Sequence, residues 1–159
     1  MSDIQLPEGA RRVAERLAEL GHPHDVVLLP VTGRTAADAA AALGVELGQI
    51  AKTIVFRRTT DEAAVLVVTS GDLRVDEAKV SALVGDIGRA DAEFVKAATG
   101  FSIGGVSPVA HARTPVILID AQLFRFDRIW AAAGHPHAVF PLSPAELLEL
   151  TGAPMAEIS

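Results

Sequence analysis

Between Thr99 and Pro108 the chain reads Thr-Gly-Phe-Ser-Ile-Gly-Gly-Val-Ser-Pro. Such a run does not suit a helix or strand interior, where glycine costs backbone entropy and proline removes a donor. It is either a plain connecting loop or a shaped backbone surface. In the second case Gly104 and Gly105 bring the main chain close to a ligand, and their N–H groups need acceptors.

Other residues of chemical interest lie on either side of this loop. Lys52 stands at the head of the apolar run Thr53-Ile-Val-Phe56, where a lysine either snorkels to water or is held at a site. Asp120 closes the run Val116-Ile-Leu-Ile, as a catalytic carboxylate or as a cap on nearby backbone N–H groups. Ser102 and Ser107 are nucleophiles only with a base nearby, and no Gly-x-Ser-x-Gly elbow is present. The glycine patterns of nucleotide-binding loops are also missing.

The tetrapeptide Gly-His-Pro-His occurs twice, at Gly21–His24 and Gly134–His137. No carboxylate or further histidine follows at ligand spacing, so one histidine lining a pocket is a better reading than a metal centre. The pairs Arg57–Arg58 and Arg125–Arg128 are solvated surface, or phosphate contacts if they flank the same opening as Lys52.

The totals narrow the classes. The 159 residues are 50% hydrophobic and 21% charged, which suits a compact domain with a sizeable core. There is no cysteine, hence no thiolate nucleophile and no Cys-ligated zinc. A net charge of −6 argues against broad, non-specific nucleic-acid binding, though not against recognition of one nucleic-acid end. With six Phe, one Trp and no Tyr, a platform stacking several bases is not expected. No apolar run is long enough for a membrane span, the N-terminal residues do not read as a secretory signal, and a cytoplasmic location is the expectation.

These residues need elements to position them. Amphipathic spacing predicts a helix over Arg11–Leu20, stopped by Gly21, and the run Asp25–Pro30 reads as a buried strand. The loop Val31–Arg34 then delivers a helix capped by Thr35, with Asp38 in its first turn and an alanine-rich body ending at Gly44. A helical turn over Val45–Ile50 leads into a strand at Ala51–Arg58. A polar turn at Thr59–Glu62 connects it to Ala63–Thr69, an antiparallel hairpin whose second strand is apolar throughout and therefore central.

Further on, Asp76–Val84 is a capped helix and Ile87–Ala90 a brief strand. Asp91 caps a helix over Ala92–Ala98 that runs straight into the glycine loop. Val116–Asp120 is a buried strand, Leu123–Trp130 short strand or turn, and Ala138–Leu142 a last strand. Ser143-Pro-Ala-Glu146 opens a final helix with a capping box. The helices are too short and too few for a regular βαβ series, so the pattern predicts an α+β fold with a mixed, curved sheet.

Lys52 before Thr-Ile-Val, then Thr99-Gly-Phe-x-x-Gly-Gly-Val-x-Pro108 after a short helix, then Val-Ile-Leu-Ile-Asp120, resembles the YbaK/EbsC-type prolyl-tRNA-editing family. The likeness runs from Arg11 to Ala156. It implies that residues 1–159 form a single aminoacyl-tRNA editing domain, a free-standing homologue of the editing domain of prolyl-tRNA synthetases. The implied fold is a barrel-like mixed sheet with packed short helices. The implied activity is hydrolysis of the ester of a mischarged aminoacyl-tRNA, with tRNA for proline and prolyl-tRNA synthetase as expected partners and no metal or cofactor.

Ester hydrolysis of this kind needs a positioned water and donors for the tetrahedral oxyanion, which backbone N–H groups supply without a nucleophilic side chain. The expectation is therefore that Lys52, Gly104 and Gly105 are catalytic. Thr99, Phe101, Val106, Ser107, Pro108, Asp120 and His137 are expected to bind substrate. The cysteine-removing branch of the family carries a Ser-Gly-Gly-Lys-Arg-Gly-like segment where this chain has Ala132-Ala-Gly-His-Pro-His137. That departure favours alanine, or a similarly small amino acid, as the group removed. A non-catalytic module that binds tRNA or a synthetase, and an unrelated small-ester hydrolase, are the alternatives.

Overall fold

The computed structural model describes residues 6–30 and 35–159. The expected Val31–Arg34 loop lies outside the described residues.

Four of the five α-helices among the described residues begin where the sequence supplies a side-chain cap. Asp91 Oδ1 accepts from the Phe94 N–H at the head of α4 (Ala92–Thr99). Thr35 and Asp38 form a reciprocal capping box on α2 (Ala36–Leu43), and Ser143 and Glu146 form another on α5 (Pro144–Thr151). Asp76 caps α3 (Glu77–Val84). Glycines in the left-handed region close α2, α4 and α5 at Gly44, Gly100 and Gly152. The first helix, α1, spans Glu8–Glu19 and so starts three residues before the expected Arg11. Pro7 holds the extended entry at φ −53°, and Gly9 is accepted inside the first turn because no larger residue fits there.

Eight strands form one mixed sheet: β1 (Val27–Leu28), β2 (Ile50–Arg58), β3 (Ala64–Ser70), β4 (Ile87–Arg89), β5 (Val116–Asp120), β6 (Ile129–Ala132), β7 (Ala138–Leu142) and β8 (Met155–Ala156). The order is β1-β7-β6-β2-β3-β5-β8, with β4 also on β2. The hairpin β2–β3 is antiparallel, as its sequence implies, while β2–β6, β3–β5 and β5–β8 are parallel. This is the expected mixed α+β architecture.

Every residue of β3 is buried because the strand sits between β2 and β5 with a core on each face. Leu66 and Val68 point into the larger core with Ile119, Phe140 and Leu147, whereas Val65 and Val67 join Phe56, Val80 and Leu118 on the other side. Full burial of such side chains is worth about 1.5–3 kcal/mol each.

Two segments depart from the sequence reading. Only Val27 and Leu28 of Asp25–Pro30 form a strand, and it lies at the sheet's edge with Val27 exposed. An apolar run does not distinguish an edge from a central position. The stretch read as short strand or turn over Leu123–Trp130 contains both, a 3-10 turn that starts earlier, at Ala121–Arg125, and strand β6, which begins at Ile129 and continues into the alanines.

Candidate active site

The site is created by a division in the sheet. One edge of β2 is paired along Ala51–Arg57 by β3. On the opposite edge β6 pairs Ile50 and Ala51, and β4 pairs Phe56 to Arg58. Between these ladders, residues 52–55 meet neither strand. A cavity of about 270 Å³ occupies the gap. Its wall comes from α2 (Ala36 and Ala39), β2 (Ile50 to Ile54), β6 (Trp130 and Ala132), β7 (Ala138 and Val139) and Pro136. Ile103, Gly104 and Val106 of the glycine loop complete it. The alanines of α2 allow that helix to lie close over the opening.

Lys52 lies at this cavity. Strand alternation puts it on the same face as Ile50 and Ile54, next to Trp130, the register partner of Ile50. Burial is the main influence on its amine and lowers its pKa from the usual 10.5; Asp72 opposes this and Arg74 adds to it. Asp72 itself takes a two-pronged contact from Arg125, Nη2 to Oδ1 at 3.0 Å and Nη1 to Oδ2 at 3.3 Å. That hydrogen bonding keeps its carboxyl below the ordinary value of 3.8. Of the two basic pairs named from sequence, Arg125 thus reaches the surroundings of Lys52 through Asp72. Arg57 and Arg58 are engaged by Glu62 and Asp61.

The glycine loop divides its labour. Gly104 adopts φ +91°, is exposed, and has nothing within 4 Å of the position a Cβ would take. No hydrogen-bond acceptor for its N–H occurs among the described residues. Gly105 differs from the expectation. Its N–H donates to Ser102 O at 3.0 Å, and a Cβ there would stand 2.8 Å from the His135 carbonyl carbon. It serves a turn and a close passage of two backbones, so its amide is not open to a ligand.

Several nominated residues prove to hold the loop and do not line the cavity. Thr99 Oγ1 donates to Val95 O at 2.7 Å and accepts from the Phe101 N–H at 3.0 Å. Phe101 is 1% exposed, in the core under the Arg12 guanidinium. Ser107 Oγ accepts from the Val109 N–H, and Pro108 is buried away from the opening. Asp120 is fully buried, accepting from Thr69 Oγ1 at 2.5 Å and from the Gln122 N–H at 3.0 Å. It is the cap of the following 3-10 turn. It shares with Thr69 and Lys52 one row across three strands, but it does not reach the cavity. His137 lies beside the lining residue Pro136, its ring 5.2 Å from that of His135. Its Nε2 is buried with no partner among the described residues.

The sequence reading missed Thr53 and Trp130. Both line the cavity, and both carry a buried polar atom, Oγ1 and Nε1, without a partner among the described residues. A lone tryptophan in a chain this poor in aromatics was the available signal. Among the described residues no group of three His, Asp or Glu is arranged to hold a metal. A larger groove of about 750 Å³ lies behind the loop, lined by Arg12, Arg16, Arg113 and His111, and Lys52 is not part of it.

A divided mixed sheet thus brings Lys52 of β2 and Gly104 of the glycine loop to the wall of one small, mostly apolar cavity. The chain belongs to the aminoacyl-tRNA editing domain family, whose profile matches residues 31–150. It is 42% identical to a candidate trans-editing enzyme for prolyl tRNA synthetase known from a crystal structure, with a TM-score of 0.91 over 98% of this chain and 99% of that one. It is 31% identical to the uncharacterized protein YwhH of Bacillus subtilis (strain 168), covering 89% of this chain and 90% of that protein. A 29% identical stretch also occurs in a proline–tRNA ligase of Brachyspira hyodysenteriae (strain ATCC 49526 / WA1), matching 77% of this chain but only 20% of the ligase. Among the described residues no helix is long and apolar enough to cross a membrane.

Proposed function

We propose that this editing domain is a trans-acting deacylase that hydrolyses the ester of mischarged aminoacyl-tRNA, with tRNA for proline carrying alanine or another small amino acid as substrate. The observation that carries the reading is that Lys52 and Gly104, whose N–H has no acceptor among the described residues, line the same small, mostly apolar cavity. At about 270 Å³ the cavity lies just below the range of about 300–1,000 Å³ usual for whole small-molecule ligands. It suits an aminoacyl group, with the terminal adenosine left outside.

In this mechanism water attacks the ester carbonyl, giving a tetrahedral oxyanion. The Gly104 N–H and the Lys52 ammonium stabilise the developing charge. The ribose oxygen leaves and takes a proton, releasing free amino acid and tRNA. The adjacent ribose hydroxyl orients the water, a role assigned to substrate because no histidine, aspartate or glutamate lines the cavity among the described residues. Thr53 and Trp130 complete the wall that would enclose the aminoacyl group. Prolyl-tRNA synthetase is the partner this substrate implies.

The test is hydrolysis of a panel of tRNAs charged with Ala, Ser, Cys, Thr and Pro, by the native chain and by Lys52→Ala. Turnover of a small mischarged residue that is lost in the variant supports the proposal. Binding without turnover on every member favours a tRNA-binding module, and turnover of simple esters without tRNA favours an unrelated esterase. Undiminished activity of Lys52→Ala overturns the assigned role of the lysine.

A further inference from the structure

The geometry points to Arg12, outside the cavity and on the far side of the glycine loop, as a positioning residue for Gly104; its catalytic part rests on the deacylase reading above. The neck of the loop is tied by two backbone bonds, from Arg113 N to Ala98 O at 3.0 Å and from Ala112 N to Thr99 O at 3.1 Å. The next step inward offers two carbonyls, Gly100 O and Ala110 O. Two acceptors cannot bond to one another. Arg12 supplies the missing donors, Nη2 to Ala110 O at 2.9 Å and Nη1 to Gly100 O at 3.3 Å, with Lys96 Nζ also 3.4 Å from Gly100 O.

Both neck residues bear the marks of this arrangement. Ala110 has φ +68°, a conformation rare outside glycine, and it presents its carbonyl to the guanidinium. Gly100 has φ +83°, and a Cβ there would lie 2.7 Å from Arg12 Nη2. The guanidinium also lies over the Phe101 ring, 4.7 Å from its centroid. A planar fork satisfies both carbonyls and the ring face together, whereas a lysine ammonium is a single point of charge.

One turn earlier on α1, Gly9 presses against Gly134, where a Cβ would lie 2.1 Å from the Gly134 oxygen. Gly134 leads into the segment that Gly105 touches at His135. Helix α1 therefore fixes the loop's neck through Arg12 and the neighbouring wall through Gly9. The tip at Ile103–Gly104, two and three residues beyond Phe101, has its direction set from both sides.

The experiment compares Arg12→Lys and Arg16→Gln with the native chain, using tRNA deacylation kinetics and amide exchange over residues 102–107. Arg16 faces the same groove, but its side chain bonds only to Glu19 among the described residues. For Arg12→Lys, exchange over 102–107 is expected to quicken by about tenfold while global unfolding changes little, the signature of local opening. Its kcat is expected to fall by about tenfold to a hundredfold, as for a donor displaced by a fraction of its contact distance, with KM within about twofold. Arg16→Gln should leave both readings in place. Arg12→Met, which keeps the stem over Phe101, is the second variant should Arg12→Lys not fold.

Unchanged exchange in a folded Arg12 variant overturns the clamp. An unchanged kcat overturns its catalytic part, and an equal loss in Arg16→Gln shows that groove charge acts instead. A native chain that turns over no charged tRNA defeats the deacylase reading, while the exchange data still decide whether Arg12 holds the loop.

Discussion

Gly105 and His135 pass one another backbone to backbone, so closely that a Cβ on Gly105 would stand 2.8 Å from the His135 carbonyl carbon. Two loops about thirty residues apart in the chain are thereby joined into one wall beside the cavity. Gly105→Ala is expected to destabilise the fold by about 1–3 kcal/mol, the usual cost of forcing atoms into a packed contact. A urea unfolding series measures it, and deacylation should fall as the wall separates.

Gly104→Ala tests the other half of the pair. No atom obstructs a methyl group there, but φ +91° is strained for alanine, at about 1–3 kcal/mol. On the deacylase reading, relief of that strain is expected to turn the amide away from the ester. A fall in kcat of about tenfold or more, with a much smaller change in KM, is expected for an oxyanion donor. Steady-state kinetics on a mischarged tRNA provide the check.

The pH dependence follows from Lys52. Burial lowers its pKa, so in the folded chain its positive charge is lost below the ordinary 10.5. The alkaline limb of kcat/KM, after subtraction of spontaneous ester hydrolysis, is expected below that value and should move upward in Lys52→Arg. For stability the direction is opposite. Between the folded pKa and 10.5 the unfolded chain binds more protons, so this group's contribution to stability rises with pH.

Asp72 raises the Lys52 pKa, and its removal has a definite sign. Asp72→Asn should shift the alkaline limb to lower pH still. The lost contact with Arg125 joins side chains 35% and 38% exposed, so stability should change by less than about 1 kcal/mol. A pH–rate profile and a thermal melt on the same protein separate the two effects.

Thr69→Val removes the hydroxyl that Asp120 accepts from. A buried carboxylate left with only the Gln122 N–H should cost about 1.5–3 kcal/mol. Because neither residue lines the cavity, kcat should stay within about twofold of native. Chemical denaturation and deacylation assays together test that Asp120 is a structural cap.

What was legible in the sequence was local. Caps at Thr35, Asp76, Asp91 and Ser143 and the β2–β3 hairpin are written in residues a few positions apart, and they occur as read. Strand order was not, because β6 reaches β2 from about eighty residues away and no local pattern encodes the pairing Ala51–Ala131. The same limit explains the site. Lys52 and Gly104 were visible because a lysine in an apolar run and paired glycines are unusual wherever they fall. Thr53 and Trp130 gain meaning only when β6 arrives beside β2. Thr99 and Phe101 are in the motif because they build the loop, and a motif does not separate builders from contacts.

The parallel pairing of β2 with β6 also sets when the cavity exists during folding. The β2–β3 hairpin pairs residues close in the chain, but the wall bearing Trp130, Ala132 and Val139 requires closure of a long intervening loop. A nascent chain that has emerged only as far as β5 already carries Lys52 and the glycine loop, yet has no pocket between them. The enclosed cavity therefore exists only once β6 and β7 have joined β2, well after the residues that first draw attention to it have been made.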